Sequence, residues 1–210
     1  MDGTLVDSLF IWEVLWSTFG DKYLSDKSFR PKTEDDKKVR TLTLKDAMAL
    51  IHKNYNLGAS GEELLQLANS VLLDFYSNRV ELKSGVREFL EYLKSQKTKM
   101  CIASATAPEL VTVAMNHCDI DKYFLRVFSC AEVGKGKEEP DVFLLANDFC
   151  GTSIEDTWLF EDSLVAIETA TKIGMKTVGI YDRYNFGQDK IKEISTEYIN
   201  SKETLMKLIK

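Results

Sequence analysis

From Leu82 onward the chain alternates short apolar runs with stretches of helical period, and this alternation is what most restricts its fold. Residues 84–95 read as a helix, 99–104 (KMCIAS) as a short strand, and 108–117 as a helix whose first turn holds Pro108, where a missing N–H costs nothing. The series continues with a strand near 126–129, a helix over 140–149, a strand at 157–160 (TWLF), a helix over 163–173 and, after Gly174, a strand at 176–180. The ending, 197–210, reads as a short strand and a closing helix. Short apolar strands separated by helices predict a parallel sheet covered on both faces, an α/β core of Rossmann-like type.

The first third has a different rhythm. Over 8–21 the apolar residues Leu9, Trp12, Val14, Leu15, Trp16 and Phe19 recur at helical spacing, and Gly20 marks the end. The stretch 25–40 (SDKSFRPKTEDDKKVR) mixes charges, shows no period and predicts an exposed loop. A second helix is expected over 44–55. A third starts at Ser60, where Ser60-Gly61-Glu62-Glu63 fits a capping box, and runs on through Leu64, Leu65, Leu67, Val71, Leu72 and Phe75. The expected organisation is an α/β core from 1–8 and 82–210, with an α-helical domain inserted at 9–81.

A chain of 210 residues is long enough for one such core plus an insertion. Its net charge of -6 has the wrong sign for a nucleic-acid binder. No apolar run approaches the ~20 residues of a membrane span, and the start lacks the pattern of a signal peptide. A cytoplasmic protein without nucleic-acid or membrane partners is expected. Cys101, Cys118, Cys130 and Cys150 form no CxxC pair, and their spacing suits reduced thiols used for packing.

In parallel sheets the working residues gather at the carboxyl ends of the strands. KMCIAS ends in Ser104, followed by Ala105 and Thr106; around Pro140 lies GKGKEEPD with Lys135 and Lys137; after TWLF come Glu161 and Asp162; Asp2 heads the chain. Each has an ordinary reading alone. Ser104 could cap a helix, Lys137 could be a solvated loop lysine, Glu161-Asp162 could complement a helix dipole, and Asp2-Gly3-Thr4 could be a turn. Together they place carboxylates, a hydroxyl and a lysine at one sheet edge. Such a set suits magnesium and a phosphoryl group, since hard cations take oxygen ligands and phosphate needs donors and positive charge.

In order and spacing, MDGTLVDS, CIASAT, GKGKEEPDVFLLA and FEDSLVAIETATKIGM resemble the motifs of the haloacid dehalogenase superfamily of aspartate-nucleophile phosphotransferases. More narrowly, the chain is similar to members with a helical cap, such as phosphoglycolate phosphatase and β-phosphoglucomutase. The resemblance implies that Asp2 is the general acid and base, with its backbone carbonyl on Mg2+, and that Gly3 and Ala105 belong to the phosphate-binding loops. It implies that Ser104 binds a phosphate oxygen and that Lys137, rather than Lys135, neutralises nucleophile and phosphate. Asp162 matches the acidic Mg2+ ligand, with Glu161 a second acid beside it. Where the family often has proline after the lysine, Glu138 stands here.

The implied activity is hydrolysis of a small phosphorylated metabolite in two in-line displacements through an aspartyl phosphate, under a cap that excludes water and chooses the leaving group. Dehalogenation releases halide and needs no proton, whereas an alkoxide leaving group gains from an acid at Asp2. Similar mutases carry histidine where Trp12 stands, which favours the phosphatase over the mutase. The family's nucleophile is the aspartate two residues before Asp2, at the end of an apolar strand. Such a strand, with about four or five apolar side chains at roughly 1.5–3 kcal/mol each, is worth about as much as a whole domain's stability. The expectation is therefore that an apolar strand ending in aspartate precedes Met1 in the natural protein. Without it, the same pocket would bind phosphate or a phosphometabolite without turnover. A monomer or weak dimer is expected.

Overall fold

The computed structural model describes residues 1–40 and 42–209. Its elements run β1 (Val6–Asp7), α1 (Ile11–Leu24), α2 (Thr33–Val39), α3 (Leu44–Tyr55), α4 (Gly61–Asn78), β2 (Glu81–Leu82), α5 (Val86–Ser95), β3 (Ile102–Ser104), α6 (Pro108–His117) and β4 (Val127–Ser129). They continue with α7 (Cys130–Val133), α8 (Asp141–Cys150), β5 (Trp158–Glu161), α9 (Leu164–Lys172), β6 (Lys176–Ile180), α10 (Gln188–Ile194) and β7 (Glu197–Ile199). The chain divides into two compact units, Phe10–Arg79 and the combination of Met1–Leu9 with Val80–Lys210.

The first unit is helical. Leu15, Trp16 and Phe19 of α1 pack with Ala47, Met48 and Ile51 of α3 and with Leu64 and Ala68 of α4 in one buried apolar cluster. The ends of these helices are specified locally. The Thr43 hydroxyl accepts the Asp46 N–H, and Asn56 closes α3 in the left-handed conformation that asparagine tolerates. At α4 the Ser60 hydroxyl accepts the Glu63 N–H at 3.1 Å, while a Glu63 carboxylate oxygen accepts the Ala59 N–H at 2.7 Å. This is a capping box closed one residue further back than the usual form.

The expected loop at 25–40 is corrected in part, because Thr33–Val39 is helical. With Val39 its sole buried residue, this short helix carries no hydrophobic period. It is held by Glu34, Asp35 and Asp36 at its N-terminal end, by the Trp16 Nε1–H donating to Asp36 at 2.8 Å, and by the Arg40–Asp36 ion pair.

The second unit is α/β, as the alternation predicts. Strands β3 and β4 pair in parallel from Ile102↔Val127 to Ser104↔Ser129. Strands β5, β6 and β7 form a second parallel sheet, with Glu161 opposite Gly179 and Ile180 opposite Ile199. Val6 and Asp7 pair antiparallel with Leu82 and Glu81. Phe128, Val142, Phe143, Ala166, Ala170 and Met175 form an apolar cluster shared by both parallel sheets, since Ala103 of β3 and Leu159 of β5 pack against it. The closing helix expected over 197–210 is a 3-10 turn at Leu205–Leu208 instead; Lys210 lies outside the described residues. Helix α10, with Ile191 its one buried residue, was too short and polar to predict. Among the described residues, no helix is long and apolar enough to cross a membrane.

Candidate active site

Strand β5 ends in two adjacent carboxylates that are both buried: Glu161 is 3% exposed and Asp162 5%. A buried carboxylate needs a partner, and here the two are served differently. Glu161 forms an ion pair with Lys137, whose side chain is itself only 16% exposed. Burial alone would push the Glu161 carboxyl up, but the charge and hydrogen bond of Lys137 outweigh it and hold it below its ordinary value. Burial would likewise lower the Lys137 ammonium, and Glu161 more than reverses this. Among the described residues Asp162 has no such partner. It accepts the Thr4 hydroxyl at 2.9 Å and the Asn185 side-chain N–H at 2.7 Å, both neutral donors. Burial and the repulsion of Glu161 push its carboxyl up to about 7.

The loop at Met1–Thr4 is bound tightly to this pair. The Met1 carbonyl accepts the N–H groups of Thr4, Leu5 and Val6, forming a tight turn. Gly3 takes φ 65, and a Cβ there would lie 2.2 Å from an Asp162 oxygen, so the backbone passes where no side chain fits. The buried Thr4 hydroxyl reaches both carboxylates, at 3.3 Å to Glu161 and 2.9 Å to Asp162. Asp2 faces other partners: its carboxylate accepts the Ser8 hydroxyl at 2.7 Å and the Thr106 hydroxyl at 2.8 Å. Thr106 also donates its backbone N–H to the Ser104 hydroxyl, at 3.1 Å. Ser104 is 3% exposed at the end of β3.

The predicted residues thus fall into two linked groups. Lys137, Glu161, Asp162 and Gly3 come together at the end of β5, while Asp2 is joined to Ser104 through Thr106. Ala105 is exposed beside this second group. Lys135 points elsewhere, paired with Asp141 at 2.9 Å. Reading the sequence missed Thr4 and Ser8 as partners of the two aspartates, and it missed Asn185. Asn185 holds Asp162 through both its carbonyl, at 2.8 Å, and its carboxylate. The signal was available: the rule of reading past each strand end, carried on after β6, leads to Asp182 and the YNFG turn.

The donor chemistry fits a hard divalent cation. Oxygen ligands are concentrated at Asp162 and Glu161, and one lysine leaves the negative charge there incompletely balanced. Among the described residues, no three His, Cys, Asp or Glu side chains converge to hold a metal ion, so Asp2, Glu161 and Asp162 do not form such a trio; the Asp2 carboxylate is turned to Ser8 and Thr106.

The chain is similar to proteins of known sequence and structure. A sequence profile described as haloacid dehalogenase-like hydrolase matches residues 1–180. A phosphorylated carbohydrates phosphatase of Thermotoga maritima is 23% identical over 207 residues, covering 98% of this chain and 94% of that protein. A phosphoglycolate phosphatase of Nitrosococcus oceani is 28% identical over 196 residues, covering 90% and 84%. Among solved structures, CbbY from Rhodobacter sphaeroides in complex with phosphate superposes with a TM-score of 0.76 at 16% identity, over 95% of this chain and 90% of that one. The β-phosphoglucomutase of Clostridium difficile does so with a TM-score of 0.73 at 16% identity, over 97% and 89%. These likenesses show a shared mixed α/β fold with a helical region inserted near the amino terminus.

Proposed function

The chain belongs to the haloacid dehalogenase-like hydrolases, and on that premise we propose that it is a magnesium-dependent phosphatase of small phosphorylated metabolites. The observation that carries the reading is the buried Lys137–Glu161 pair with Asp162 beside it, bound through Thr4 to the loop that bears Asp2. The names of the Thermotoga and Nitrosococcus relatives, both phosphatases, support it.

Each residue has a role that its surroundings suit. Lys137 offsets charge on the phosphoryl group and on the attacking carboxylate. Ser104, at the end of β3, donates to a phosphate oxygen, and the backbone at Gly3 and Ala105 completes the phosphate loops. Asp2, oriented by Ser8 and Thr106, protonates the leaving alkoxide and then takes a proton from the water that hydrolyses the aspartyl phosphate. Asp162, the Asp2 carbonyl and Glu161 as a further acid would hold a magnesium ion, which would supply positive charge against the phosphoryl oxygens.

The nucleophile in this proposal is an aspartate directly before Met1, at the end of a parallel strand. Two features support that position. The Met1 carbonyl anchors the turn that carries Asp2 to Thr4. Strand β3 pairs only with β4 and β5 only with β6 among the described residues, yet Ala103 and Leu159 pack on the same apolar cluster, so a strand between the two edges would complete the sheet. Trp12 favours hydrolysis over mutase chemistry: an indole has no basic nitrogen to carry a proton, and this ring packs on Trp16 at 5.5 Å with the Arg40 guanidinium at 5.6 Å.

The test is phosphate release from phosphoglycolate, hexose phosphates and an aryl phosphate, with magnesium and with chelator, on protein whose amino terminus has been read by mass spectrometry. Magnesium-dependent release from a chain with aspartate before Met1 is the expected result. Isomerisation of a sugar phosphate without release would make it a mutase. Phosphate binding without turnover by that same chain would defeat both readings.

A further inference from the structure

We propose that Cys101 and Cys150 form a reversible disulfide when the protein meets a peroxide. Their sulfurs lie 3.4 Å apart across 49 residues of sequence. Bond formation requires them to close to about 2.05 Å, a displacement within the reach of side-chain torsion. The approach is built by the fold. Cys101 leads into β3 and Cys150 is the last residue of α8, which packs on β3 and β4. The neighbouring Lys99 ammonium donates to the Cys150 carbonyl at 2.6 Å, fixing the end of the helix against the start of the strand. Both thiols are partly exposed, whereas Cys118 and Cys130 are buried.

The chemistry divides between the two sulfurs. Burial, and then the Cys150 sulfur beside it, push the Cys101 thiol up to about 12, so Cys101 keeps its proton. With the Cys101 proton held in this way, Cys150 is the sulfur that reacts first. Its sulfur attacks one peroxide oxygen, the O–O bond breaks, the Cys150 proton passes to the departing hydroxide to give water, and Cys150 becomes a sulfenic acid. The Cys101 sulfur then attacks the Cys150 sulfur, its proton passes to the departing hydroxide, and water leaves as the S–S bond forms. Two thiols and one hydrogen peroxide give one disulfide and two waters. The link would sit at the amino end of β3 and the carboxyl end of α8, away from Ser104 at the other end of β3.

The experiment is titration of the full chain with hydrogen peroxide, quenching with N-ethylmaleimide, and peptide mapping. A peptide pair joined through Cys101 and Cys150, the loss of two alkylation sites and restoration of both by dithiothreitol are expected, together with a rise in Tm of several degrees. Cys118→Ser should keep the link and Cys150→Ser should lose it. Full alkylation of all the thiols after peroxide, a link that uses Cys118 or Cys130, or Cys150 driven to sulfinic acid with Cys101 still free would each overturn the proposal.

Discussion

The two units of the molecule differ in what they bury. Between residues 10 and 79 the described interior is apolar: Leu15, Trp16, Phe19, Met48, Ile51 and Leu64 are buried, and no Ser, Thr, Asn, Asp, Glu or Lys joins them. The α/β unit buries Thr4, Ser104, Ser129, Glu161, Asp162 and Asp182, among other polar residues. Burying an ionised group costs several kcal/mol unless a partner compensates it. Asp182 has the Lys83 ammonium at 2.8 Å and Glu161 has Lys137, but among the described residues Asp162 has only neutral donors. One unit is an ordinary apolar core. The other retains a buried charge that folding alone does not satisfy, and such a charge is where a cation has most to offer.

The contrast can be broken experimentally, and the largest effect is expected at Lys137. Lys137→Met leaves Glu161 buried without its partner and should cost about 3–5 kcal/mol in urea unfolding. Lys137→Met combined with Glu161→Gln should recover most of that loss while leaving phosphate release abolished. A single variant as stable as the parent would mean that Glu161 is not held by its pair. In the helical unit Leu15→Ala should cost about 2–5 kcal/mol by opening a cavity. That cost should be the same at pH 5 and pH 7, because no residue of the cluster titrates between those values.

A smaller and pH-dependent effect is expected at Asp162. Its carboxyl is raised in the folded state, so ionisation opposes folding; the cost is absent below about pH 4 and grows as pH rises towards 7. Asp162→Asn should therefore gain stability relative to the parent across this interval, by about 1–2 kcal/mol between pH 5 and 7, against a ceiling of about 1.4 kcal/mol per pH unit for one proton. Chemical denaturation of both proteins at the two pH values, without magnesium, gives the difference directly. A difference that shrinks with pH would reverse the assignment of Asp162 as the uncompensated charge. The smallest effect belongs to Ser60→Ala, about 1 kcal/mol from the lost cap, independent of pH and magnesium.

The sequence revealed most where apolar side chains repeat. Strands lie within KMCIAS, at Ile102–Ser104, and over most of TWLF, at Trp158–Glu161, and the helices at Ser60 and Pro108 lie where their caps and periods indicate. Thr33–Val39 escaped notice because its stability comes from one tryptophan hydrogen bond and the charges at its ends, which leave no period. At the site, the family resemblance separated Lys137 from Lys135, and the structure pairs the first with Glu161 and the second with Asp141. What spacing could not convey was the division of labour between the carboxylates. That depends on hydroxyls and an amide, Thr4, Ser8, Thr106 and Asn185, brought in from separate loops.

The apolar interior of Phe10–Arg79 has a consequence for how such a protein can diversify. Cores tolerate extensive exchange among hydrophobic residues when volume and pattern are kept. The buried set in this unit, from Ile11 to Tyr76, contains no ionised group whose partner would have to change in step. Its outer residues can therefore drift under selection, and its interior can be rewritten piecemeal. At Gly3, Thr4 and Asp162 a single replacement disturbs several neighbours together. Variation should accordingly accumulate unevenly along the chain, fast through the helical insertion and slowly at the strand ends.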